Sequence, residues 1–127
     1  MGRMELEHEL QAASPRARIL IVEDEVLTRM ALAEELRDAG YSVVEAANAD
    51  AAMAYLNTTG QIDLVFSDVK MPGSMDGLEL ARRLSVEHPS LPVLLSSASS
   101  QGVDAVISKP YRMERVLSII SKALRLE

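Results

Sequence analysis

Four short apolar runs in this chain each stop at residues capable of chemistry. Ile19-Leu20-Ile21-Val22 runs into Glu23-Asp24-Glu25, and Leu64-Val65-Phe66 runs into Ser67-Asp68. Val93-Leu94-Leu95 ends at Ser96-Ser97, and Ala105-Val106-Ile107 ends at Ser108-Lys109-Pro110. Brought together, Glu23, Asp24, Asp68, Ser97 and Lys109 make three carboxylates, a hydroxyl and an ammonium. Carboxylates held close either raise a pKa or recruit a cation. An oxygen-only, open site suits a hard ion that keeps its waters, Mg2+ first and Mn2+ as a substitute. Lys109 can pair with Asp68 and later with a phosphoryl oxygen, and Ser97 can donate to such an oxygen. A carboxylate so flanked is a good phosphoryl acceptor, because transfer needs charge neutralised on the equatorial oxygens.

Taken singly, each of these residues has a plainer reading. An acidic pair after a strand is often a solvated loop, a lone Asp a cap, and Lys-Pro a turn. What favours chemistry is that all fall at the carboxyl ends of apolar runs, in an order that one topology explains. Continuous apolarity over so few residues indicates strands buried on both faces. Tyr41–Glu45 adds a further strand. Helical stretches follow the strands: Val26–Ala39 stopped by Gly40, Ala49–Asn57 capped by Asn48, Leu78–Glu87 closed by Pro89, and last Met113–Leu124. Strands alternating with helices predict an α/β fold with a parallel sheet. Right-handed crossovers then favour the flavodoxin-like, doubly wound, five-stranded order 2-1-3-4-5, with the site at the carboxyl ends.

The 127 residues suit one domain, and 48% are apolar, enough for a core. No apolar run approaches a membrane span. The polar, acidic start does not read as a signal peptide, and the absence of cysteine is compatible with a cytoplasmic protein. Residues 1–17 are expected to be a flexible or short helical appendage, and 18–127 the domain. The net charge of −6 argues against nucleic acid as a direct partner. Only Tyr41, Tyr55, Phe66 and Tyr111 are aromatic, too few for a base-stacking platform. His8 and His88 are far apart, so a histidine metal site is not expected.

From Arg18 onward these motifs resemble the receiver domains of two-component response regulators. The resemblance rests on Ile19–Glu25, Leu64–Gly73, Asp76-Gly77-Leu78-Glu79, Leu91–Ala98 and Ser108-Lys109-Pro110-Tyr111, all in order. It implies that Asp68 is the phosphorylated aspartate and Asp24 a direct Mg2+ ligand. Glu23 would act on the ion through water, and the backbone carbonyl of Lys70 would be a further ligand. Ser97 matches the switch hydroxyl, and Lys109 the phosphate-contacting lysine, whose bond to proline is typically cis. Lys70 and Ser99 stand where the family tunes hydrolysis. The implied donor is a phosphohistidine on a sensor histidine kinase or a histidine phosphotransfer protein. The domain would catalyse its own phosphorylation and slow dephosphorylation rather than act as an enzyme on other substrates.

Three features depart from the family pattern. Ser74 reads as an insertion in the loop after Asp68, tolerable at a surface. Val106 occupies the position of the family's switch aromatic and has no ring to relocate. Only seven residues, Ala98–Asp104, separate Ser97 from Ala105. Seven residues of helix rise only ~10 Å, whereas extended chain spans a strand's length easily. The family's fourth helix is therefore expected to be missing or reduced to a turn. Val106, Ile119 and Leu126 would then form an exposed apolar patch for a partner or a second copy in a homodimer.

With Glu127 just past the last expected helix, the leading reading is a single-domain regulator that signals to a downstream protein. A receiver cut from a longer protein is the other reading of the same ending. A pseudo-receiver would keep the fold as an interaction module without phosphorylation. An aspartyl-phosphate hydrolase is disfavoured, because Lys70 occupies the position of its usual second acid.

Overall fold

A computed structural model describes residues 17–58, 60–98 and 106–124. Along the chain lie β1 (Arg18–Val22), α1 (Val26–Asp38), β2 (Ser42–Ala46), α2 (Ala49–Leu56) and β3 (Leu64–Asp68). They are followed by α3 (Gly77–Glu87), β4 (Val93–Ser97), β5 (Val106–Ser108) and α4 (Met113–Ala123). The strands form one sheet in the order β2-β1-β3-β4-β5, and every pairing is parallel. This is the flavodoxin-like, doubly wound α/β fold.

Alternation along the strands divides the apolar side chains between two cores. Leu20, Val22 and Val65 face α2 and α3, where they meet Ala52, Met53, Leu56, Leu80 and Leu84. Ile19, Ile21, Leu64 and Phe66 face α1 and α4, where they meet Leu32, Leu36, Val116 and Ile120. β1 and β3 are thus buried on both faces, and their apolar residues are continuous because neither side meets water. Each fully buried Leu, Ile, Val or Phe contributes about 1.5–3 kcal/mol of transfer free energy. β2, at the sheet edge, is only half-buried along most of its length.

Local signals set the helix ends. The Asn48 side chain accepts from Ala51 N at 2.7 Å and caps α2. Asp76 does the same for α3, accepting from Glu79 N at 2.9 Å. Gly40 follows α1 at φ +103°, a left-handed conformation that glycine adopts without a Cβ clash.

Two expectations change. Ile119, expected in an exposed patch, is half-buried against the α1/α4 core. The apolar stripe of α4 is wide enough to carry it inward beside Val116 and Ile120. Among the described residues, the large apolar side chains that do face solvent are Val26, Leu27 and Met30 on α1 and Val86 on α3. Tyr41 packs into the core ahead of β2 rather than opening the strand.

Several expectations fall outside the described residues. These are the appendage over 1–16, Ser99, Leu126 and the Val106 side chain. The shortened crossover belongs with them, since 99–105 are not described; β4 ends at Ser97 and β5 begins at Val106.

Candidate functional site

Strand register carries the expected residues to one edge. Val22 lies opposite Ser67, so Glu23 and Asp68, each the next residue, leave adjacent strands side by side. Asp68 lies opposite Ser96, one residue before Ser97. Ser97 lies opposite Ser108, one residue before Lys109. Adjacent strands are only ~4.8 Å apart, so four strand ends share one small region.

The side chains converge there. One carboxylate oxygen each from Glu23, Asp24 and Asp68 lie within 4.8 Å of one another. Lys109 Nζ stands 3.5 Å from Asp68 Oδ2 and 3.7 Å from Glu23 Oε1. Glu23 is buried, Asp68 is partly buried and Asp24 is exposed, so the cluster opens to solvent on one side. Ser97 is buried, and its carbonyl accepts from Lys109 N at 2.9 Å, tying β4 to the lysine's backbone. The Lys109–Pro110 peptide bond is cis. Lys70 is exposed, just beyond the acidic cluster.

Burial pushes the Glu23 carboxyl above its ordinary value. The Glu25 N–H, donating to Glu23 Oε2 at 3.1 Å, and the Lys109 ammonium pull it back down. Asp68 and Asp24 add to the upward push. Burial likewise raises the Tyr111 hydroxyl, whose ring is tilted against Phe66 at a centroid distance of 6.1 Å. All three donors are carboxylate oxygens on an open edge, which fits a small hard divalent cation.

The comparisons with known proteins agree with this geometry. Residues 19–121 match the response regulator receiver domain. The chain belongs to that family. This receiver is 34% identical over 118 residues to the transcriptional regulatory protein PhoP of Escherichia coli, covering 85% of this chain and 52% of that protein. It is 36% identical over 123 residues to the transcriptional regulatory protein PdtaR of Mycobacterium tuberculosis, covering 89% of this chain and 58% of the other. The receiver thus spans between half and three-fifths of the length of these two relatives. Among solved structures, the response regulator TrrA of Thermotoga maritima, in complex with Mg2+-BeF, superposes with a TM-score of 0.76 at 29% identity. That match covers 85% of this chain and 99% of TrrA. No helix among the described residues is long and apolar enough to cross a membrane.

Some residues around the receiver's acidic edge were not anticipated. Arg29, on α1, donates from a terminal guanidinium nitrogen to the Glu23 carbonyl at 2.7 Å. Its Nε stands 3.4 Å from Glu45 Oε1 on β2. The signal was present in the sequence: an arginine near a helix N-terminus opposes the helix dipole, so another contact must offset that cost. Gly77 belongs to the Asp76-Gly77-Leu78-Glu79 motif, and its position admits no side chain. A Cβ there would lie 2.1 Å from the Asp68 carbonyl oxygen. Ser74 donates to Asp50 Oδ2 on α2 at 2.9 Å, which tethers the loop after Asp68 to that helix.

Proposed function

We propose that this receiver is the phosphoacceptor of a two-component phosphorelay, with Asp68 taking the phosphoryl group from a phosphohistidine. The supporting observation is the Lys109 ammonium at 3.5 Å from Asp68 Oδ2 within a three-carboxylate cluster. The donor is a sensor histidine kinase or a histidine phosphotransfer protein, and the output is contact with a downstream protein in the cytoplasm.

An oxygen of Asp68 attacks phosphorus, forming a P–O bond. The P–N bond of phosphohistidine breaks, and its electron pair returns to the imidazole. Charge spreads over the three equatorial oxygens. Lys109 moves from the carboxylate to one of these oxygens, and the Ser97 hydroxyl donates to another. Asp24, Asp68, the Lys70 carbonyl and, through water, Glu23 would hold Mg2+, which supplies further positive charge to the transferring group. In dephosphorylation water attacks phosphorus, the bond to Asp68 breaks, and the water's proton leaves with phosphate. By resemblance to the family, Lys70 and Ser99 hold the sequence positions that tune this rate.

The test is intact mass after incubation with Mg2+ and acetyl phosphate. Addition of one phosphoryl group, absent in Asp68→Asn, is the expected result. A second reading, a pseudo-receiver working without phosphorylation, is favoured by Val106 at the position of the family's switch aromatic. An unchanged mass together with no Mg2+ binding selects it.

A further inference from the structure

We propose that Arg29 is a positioning residue for the acidic end of β1; this rests on the reading of Glu23 and Asp24 as metal-holding groups. The turn from β1 to α1 must present both carboxylates at one edge, and Glu23 is buried with its charge near two others. Like charges held this close repel, so the turn needs contacts that keep them together. Three contacts oppose this. Glu23 N donates to the Ala46 carbonyl at 3.0 Å. Glu25 N donates to Glu23 Oε2 at 3.1 Å. Arg29 donates to the Glu23 carbonyl at 2.7 Å, the shortest of the three and the one whose donor is charged.

Arg29 is itself held. Its side chain is 16% exposed, and Glu45 faces its Nε at 3.4 Å. Glu45 also accepts from Arg37 at 3.4 Å, so the carboxylate is anchored from α1 on two sides. Ile21 lies opposite Glu45 in the sheet, which places this clamp beside the end of β1. A planar guanidinium can serve the carbonyl and Glu45 together, whereas a lysine ammonium on a flexible stem serves one of them well. Groups that orient metal ligands from behind change affinity when removed, typically by 10–100-fold.

The test compares wild type with Arg29→Ala, Arg29→Lys and Arg37→Ala in the full chain. Arg37 shares Glu45 but does not touch Glu23, so it reports the cost of losing a surface ion pair. The first measurement is amide exchange in chelator-treated protein. Arg29→Ala is expected to speed exchange of the Glu25 amide by about tenfold or more, with Arg37→Ala like wild type. The second is Mg2+ titration, where Arg29→Ala is expected to weaken affinity about tenfold. Arg29→Lys should fall between Arg29→Ala and wild type in both, and it decides the matter if the alanine variant does not fold. Wild-type exchange at Glu25 in the Arg29 variants overturns the proposal, as does wild-type Mg2+ affinity. If wild type takes no Mg2+, the phosphoacceptor reading fails, and the exchange measurement alone decides the role of Arg29.

Discussion

Gly77 packs directly on the backbone of Asp68: the first residue of α3 has no room for a side chain beneath the carbonyl that ends β3. Gly77 N also donates to the Val69 carbonyl at 2.8 Å. Helix α3 is therefore seated against the residue at the centre of the site. Gly77→Ala forces backbone against backbone, and we expect it to cost on the order of 1–3 kcal/mol. Urea unfolding measures this. Loss of acetyl-phosphate labelling should accompany it, since the strain falls on Asp68. A variant as stable as wild type would mean that the helix can shift freely.

Glu23 predicts a pH dependence of metal-free stability. Its folded pKa is raised, so the protonated form is the one the fold prefers. Its stabilising contribution is fully present below the unfolded value, about 4.3 for Glu, and is lost as pH rises through the folded value. At neutral pH the charged carboxylate therefore costs stability. Glu23→Gln should melt higher than wild type at pH 7 without metal, and this advantage should shrink as the pH is lowered toward 4. Thermal melts across that range in chelator test the sign. An advantage that grows on acidification would contradict the burial argument.

Lys109 lowers the pKa of its buried neighbour. Lys109→Met should therefore push the Glu23 carboxyl further up, visible in a carboxyl carbon titration by NMR. The same variant should label poorly with acetyl phosphate, because no ammonium meets the transferring oxygens. Normal labelling in Lys109→Met would remove the lysine from the mechanism.

The loop residue Ser74 should matter little. Its bond to Asp50 is solvent-exposed, and such bonds contribute roughly 0.5–1.5 kcal/mol at most. Ser74→Ala is expected to lower stability by about 0.5 kcal/mol and to leave labelling unchanged. A larger loss would show that the tether holds the loop after Asp68.

Much of this was legible before the coordinates. Apolar runs ending in polar residues fixed where the strands stop, and a parallel sheet aligns those stops. The convergence of Glu23, Asp24, Asp68 and Lys109 followed from strand order alone. Contacts made across elements were less legible. Arg29 sits near a helix N-terminus, which hints at a partner without naming the backbone carbonyl it reaches, and Gly77 reads only as a motif residue ahead of the expected helix. The outward side of α1 was also obscure. That helix carries apolar residues around much of its circumference, so composition does not say that Leu32, Ala33 and Leu36 turn inward while Val26, Leu27 and Met30 meet water. Ile119 went astray for the complementary reason, since a stripe's width depends on what lies opposite it.

The two cores have no buried residue in common, so the sheet acts as a partition. The loop that leaves Asp68 places Met71 and Met75 in the core under α2 and α3. The chain that leaves Lys109 places Tyr111 and, at the start of α4, Met113 against the core under α1 and α4. One carboxylate edge thus has two mechanical outlets, one to each side of the molecule. A change at Asp68 alone would be felt first beneath α3, and a change at Lys109 first beside α4. The ion pair between them is the point where the two sides can be brought into step.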